Sequence, residues 1–214
     1  MMTMSDLSRE VEAQRADELL ASLSKVTLAG CAVLALAFSV LTGAGAAVEI
    51  FGVSISTRYA PQVLSFLALV VVFEQCRHVR AIDFLVANTG DRSALVARIR
   101  IHPALLNPYF ELGREDRLAN YLGVTLLALA NMVMMFVVAR MADGAAPGGL
   151  VVLSAENVLL VGPVFAMALC VVIFVARVLK RSLDTISGAT AVDKIRLVYL
   201  VASVGFLANR VLPA

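Results

Sequence analysis

Charge is what this sequence has least of. Only 16% of its 214 residues are Asp, Glu, Lys or Arg and 60% are hydrophobic, whereas a soluble domain carries about 25% and about 45–50%. With a mean hydropathy of +0.88, the composition excludes an ordinary water-soluble domain and places the chain in a bilayer. Residues 26–48, 119–139 and 157–176 hold no charged side chain at all. A helix needs about 20 apolar residues to cross about 30 Å of hydrocarbon, so each is a spanning segment.

A fourth run, 59–73, is shorter. At about 22 Å of helical rise it crosses only by taking Glu74, Gln75 and Cys76 into its last turn. The polar, acid-rich residues before position 26 and the length of the first run exclude a cleavable signal peptide for that segment.

Catalytic motifs are missing as well. There is no Gly-x-Ser-x-Gly elbow, no His-Glu-x-x-His, no Gly-Lys-Ser/Thr phosphate loop and no carboxylate pair inside a span, which leaves hydrolase, zinc-protease and nucleotidase chemistry without residues. No charge falls at mid-span, where ion-coupled transport places its ionisable groups. With two histidines and three cysteines, Cys31, Cys76 and Cys170, all in or beside apolar runs, neither a metal site nor a disulfide framework is expected. The thiols read as buried and apolar, and no cofactor is implied.

What is present is an uneven distribution of bases. All eighteen Lys and Arg except Arg58 and Arg140 fall before the first run, between the second and third, or after the fourth. By the positive-inside bias those segments are cytoplasmic and the two short loops external. The fold class expected is an all-α membrane protein of the inner-membrane type, with four transmembrane helices in two hairpins and a cytoplasmic amino terminus.

Along the chain this gives a cytoplasmic amphipathic arm (1–25), a first hairpin (26–76), a basic helical segment (77–118), a second hairpin (119–177) and a tail (178–214). Within the tail, residues 191–212 form either a short fifth span or a helix lying on the interface. Similar runs at Arg15 and Arg114, and matching exits at Phe73/Arg80/Asp83 and Phe174/Arg181/Asp184, suggest either duplicated hairpins or chance likeness among apolar sequences. In the basic segment, a helix should continue to about Asn88, turn at Asn-Thr-Gly-Asp, restart with a cap at Asp91 or Ser93, run to about Ile101 and break at Pro103 and Pro108. Outside, residues 49–57 alternate as a short extended piece.

Several polar residues are candidate sites. Glu74, four residues before His78 on one helix face, is either part of a chemical site with Cys76 or a boundary group paired with Arg77 or His78; the boundary reading is favoured. Asn131, with Asn120 eleven residues earlier, and Thr125 are polar groups inside the third span that either fix helix packing or line a pore together with Glu74. Cys31, Ala35, Ser39, Gly43 and Ala47 recur every fourth residue as a small-residue packing stripe, serving an intramolecular contact or a homo-oligomer. Arg77, Arg80, Arg98, Arg100, Arg177, Lys180 and Arg181 are expected to meet lipid head groups or a cytoplasmic protein partner; nucleic acid is not implied.

These readings favour a non-enzymatic membrane subunit or anchor working through its basic segment. The alternatives are an oligomeric channel or pore-forming effector of stress or phage defence, and a membrane-interface lipid enzyme or small transporter.

Overall fold

The computed structural model describes residues 4–43, 47–50, 52–56, 58–104, 107, 122–146 and 158–185. Among these residues five helices and one β-hairpin follow in chain order: α1 (Met4–Leu41), β1 (Ala47–Ile50), β2 (Val53–Ser56), α2 (Ala60–Asn88), α3 (Arg92–Ile101), α4 (Leu122–Ala145) and α5 (Val158–Thr185). Four of the helices, α1, α2, α4 and α5, are long and apolar enough to cross a membrane. Asn120, the second half of the suggested duplication at Arg114, and the tail beyond Thr185 with its fifth span lie outside the described residues, as do the side chains of Thr125, Arg177, Lys180 and Arg181.

The first helix departs from expectation at both ends. It begins at Met4 and runs on without interruption through the supposed arm, and its 38 residues reach about 57 Å. That is nearly twice the hydrocarbon thickness, so any crossing leaves the first half outside. At the other end the helix stops at Leu41 rather than Val48. Gly43 takes φ +68° and its amide is donated to the Val40 carbonyl at 3.2 Å. A left-handed residue cannot continue an α-helix, and glycine adopts it without steric cost.

Ala47, the last member of the small-residue stripe, therefore lies in β1. It pairs with Ser56 in an antiparallel ladder that closes at Ile50–Val53, with Gly52 at φ +77° in the two-residue connection.

In the middle segment, helix α2 ends at Asn88 and α3 spans Arg92–Ile101 with Asp91 as its cap. Pro61 sits in the first turn of α2, where its missing N–H costs nothing. Helix α4 continues past Arg140 to Ala145, beyond the boundary the charge suggested. Ala142 and Ala146 pack there with Leu160 and Val164 near the start of α5, so burial of apolar surface outweighs one basic side chain as the terminator. Pro163 is the sixth residue of α5, past the first turn, so its missing N–H leaves the Leu159 carbonyl without an i+4 backbone donor.

The chain divides into two compact units, Met1–Leu28 with Glu74–Leu127, and Ala29–Phe73 with Ala128–Ala214. The second holds the apolar lengths of the long helices. Its large exposed side chains, among them Phe66, Leu169, Val172 and Phe165 (70% exposed), are what a lipid-facing surface requires and a water-facing one penalises. Asn131 is buried at 1% exposure, and so is Ser65; Asn131 Nδ2 and Ser65 Oγ have no hydrogen-bond partner among the described residues.

The cysteines are not the buried thiols expected. Cys31 is exposed and Cys76 and Cys170 are half-buried, none in a disulfide.

Candidate functional site

The polar chemistry of the described residues concentrates in the first unit, where the start of α1, the end of α2 and α3 come together. Buried positions on α1, Ala16, Leu20, Leu23 and Thr27, alternate spacings of four and three, as do Gln75, Val79, Ile82 and Val86 on α2, the pattern that keeps one seam facing a partner helix. Polar pairs fix the register. Gln75 Nε2 is donated to Thr27 Oγ1 at 3.4 Å, His78 Nε2 lies 2.8 Å from Ser22 Oγ, and the Thr89 hydroxyl is donated to the Glu12 carboxylate. As the α1 number falls the α2 number rises, so the two segments run antiparallel.

Helix α3 is tied to the same α1 segment by charge. Arg98 Nη2 is 2.6 Å from Asp17 Oδ2, and this hydrogen bond, reinforced by the carboxylate's charge, raises the guanidinium pKa above its ordinary value. His102 Nε2 stands 4.0 Å from the other Asp17 oxygen. Beyond the helix end, the buried Asn107 side chain is donated to the Ile99 carbonyl at 2.6 Å and to the His102 carbonyl at 3.1 Å, satisfying acceptors that a helix terminus leaves open.

At the start of α3, Asp91 accepts the Ala94 amide at 3.2 Å and the Ser93 hydroxyl at 3.1 Å, with Arg9 3.7 Å away. The Ala94 amide first, then the Ser93 hydroxyl and the Arg9 charge, hold the Asp91 carboxyl below its ordinary 3.8. A carboxylate whose folded pKa is depressed adds stability above its unfolded pKa and loses it as pH falls through the folded value. On acidification from pH 5 to pH 3, the amides of the first α3 turn should therefore exchange faster with deuterium, after correction for intrinsic rates. In Asp91→Asn, which keeps an acceptor but has no charge to lose, that acceleration should be absent. Equal acceleration in both proteins would remove Asp91 as its source.

Glu74 and His78 are both committed within the chain. Arg77 donates to Glu74 Oε2 through Nε at 2.9 Å and approaches it with Nη2 at 2.7 Å, while His78 Nδ1 lies 2.7 Å from the Glu74 carbonyl. Since a carbonyl only accepts, Nδ1 carries the proton, and in the neutral ring Nε2 accepts from Ser22. Cys76 is on the same helix but completes no metal set: among the described residues no three His, Cys, Asp or Glu side chains gather as ligands. The structure thus brings Glu74, His78 and Arg77 together as a cluster midway along α2.

Asn131 lies in the other unit. Sequence reasoning missed Ser22, Thr27, Gln75 and Asn107, although Thr27 and Gln75 were detectable as polar residues at seam spacing.

Among the described residues this unit carries two grooves, one of them about 460 Å³ in volume between the start of α1 and α3. The second, about 530 Å³ in volume, runs between α1 and α2 and is lined by Arg15, Arg77 and Arg80 around Leu19, Phe84 and Leu85. Comparison of the chain with protein-family models, with curated proteins and with solved structures gave no match. The class that the fold defines is a helical protein with four potential membrane spans and a polar three-helix unit.

Proposed function

We propose that the chain is a multi-pass inner-membrane subunit or anchor, non-enzymatic, whose basic unit lies on the cytoplasmic side and engages lipid head groups or a soluble partner. The observation that carries this reading is the union of the amino-terminal segment with the basic segment in one compact unit. Forty residues broken by prolines make a poor domain alone. Joined to the first half of α1 by Asp17–Arg98, Ser22–His78 and Glu12–Thr89, they form a body able to present a surface.

The same unit holds Arg9, Arg15, Lys25, Arg77, Arg80, Arg92, Arg98 and Arg100, so the positive-inside bias orients all of it towards the cytoplasm. Catalysis is disfavoured by the engagement of Glu74 with Arg77 and of His78 with Ser22 and a backbone carbonyl, which leaves neither poised towards open space.

Topology is the direct test. In a background with Cys31, Cys76 and Cys170 replaced by Ala, single cysteines at Ser56 and Asp143 should react with a membrane-impermeant maleimide in intact cells. A cysteine at Arg92 should react only after lysis. The reverse pattern would invert the protein and remove the proposal.

A further inference from the structure

We infer that the groove between α1 and α2 is a binding site for the head group of an anionic phospholipid, with the phosphodiester held by Arg80 and the polar extension lying towards Arg15. This rests on the membrane reading above and names the ligand of that surface. Its volume of about 530 Å³ falls among those of small-molecule sites, about 300–1,000 Å³.

Charge selects an anion. Arg77 already neutralises Glu74, but Arg15 and Arg80 make no ion pair among the described residues, and the one carboxylate on the lining, Glu12, accepts the Thr89 hydroxyl at the far end. Two uncompensated guanidiniums against an apolar wall of Leu19, Phe84 and Leu85 suit a phosphate, which a guanidinium can grip with two parallel hydrogen bonds. Phe84 is 71% exposed, an aromatic left uncovered beside the cations.

Depth selects a lipid over a soluble phosphate. The apolar run 59–73 covers about 22 Å of the about 30 Å of hydrocarbon, so the boundary falls more than a turn past Phe73. Helix α2 continues unbroken to Asn88, which leaves Arg77 at the hydrocarbon edge and sets Arg80 in the head-group layer. Basic pockets beside spans on the cytoplasmic side are where acidic head groups collect.

The test uses the full chain in phosphatidylcholine nanodiscs with phosphatidylglycerol as a minor component, released for native mass spectrometry. The wild-type protein should retain phosphatidylglycerol over phosphatidylcholine by about 30-fold, from two basic side chains at the surface. Arg15→Gln/Arg80→Gln should bring the ratio near one, while Arg92→Gln, off the groove, should keep it.

No preference in the wild type, or an unchanged preference in the double variant, overturns the site. So does displacement of the retained lipid by millimolar inorganic phosphate or by an acidic peptide, since the pocket would then belong to a soluble ligand. Alkaline extraction separates the two levels of failure. A protein that stays in the membrane pellet yet shows no preference defeats only the groove, whereas one that washes off defeats the membrane reading as well.

Discussion

Ile99→Ala should release α3 from the rest of its unit while leaving the long helices in place. Only Leu95 and Ile99 are buried on this ten-residue helix, Ile99 at 0% exposure, so the apolar part of its attachment is one stripe four residues long. Truncating a buried Ile to Ala costs about 2–5 kcal/mol, and a helix this short has little stability of its own. Arg92, Arg98 and Arg100 make α3 a trypsin substrate once it opens. When reclosing outpaces cleavage, the cutting rate follows the open population, so it should rise roughly 30-fold or more. Ile101, two residues on, is 82% exposed, and Ile101→Ala should cut at the wild-type rate. If both variants behave alike, α3 is held by something other than the Ile99 contact.

That asymmetry between neighbouring isoleucines bears on what the sequence disclosed. The ends of α2 and α3 were legible because the signals there are local: Asp91 supplies a side-chain acceptor for the first turn, and Asn-Thr-Gly between the helices disfavours helix. Which α3 face is buried was not, since two apolar residues in a charged decapeptide choose a face only when a partner helix is present. The end of α1 failed for a related reason. Gly43 and the residues after it are apolar, so hydropathy carried the span to Val48, whereas backbone conformation ended the helix at Leu41.

The small-residue stripe on α1 winds around the helix. Residues every fourth position advance about 40° further around a straight helix at each step, so a row through Cys31, Ala35, Ser39 and Gly43 winds off any single face. Cys31 and Ala35 are indeed exposed. The buried set instead steps by three, three and four through Thr27, Gly30, Val33 and Ala37. Small size catches the eye in a sequence, but mean spacing decides the seam.

The joining of the arm to the basic segment was beyond reach for a different reason: Asp17 and Arg98 are 81 positions apart, and exposed charges carry no mark of their partner. Membership of the groove follows from that joining, which is why Arg15 acquires a role only once the two segments meet.

Gln75 gives the sharpest contrast between two substitutions of nearly equal size. Its side chain is 3% exposed, donates only a long hydrogen bond of 3.4 Å to Thr27 Oγ1, and leaves Oε1 without a partner. Thr27 does not depend on it, because the Thr27 hydroxyl is donated to the Leu23 carbonyl at 2.8 Å.

Gln75→Leu therefore removes an unsatisfied acceptor, whose burial costs about 1–3 kcal/mol, against the loss of one weak bond. The thermal midpoint in detergent should stay level or rise. Gln75→Glu keeps the shape and adds a charge beside a hydroxyl whose proton is already committed, and an uncompensated buried charge costs about 3–5 kcal/mol, so the midpoint should fall steeply at neutral pH. A Leu variant that unfolds well below wild type would assign Gln75 a partner that the chain itself does not supply. A Glu variant as stable as wild type would mean that water reaches the seam between α1 and α2, and the polar register built on Thr27, Ser22 and Glu12 would then be a solvated face.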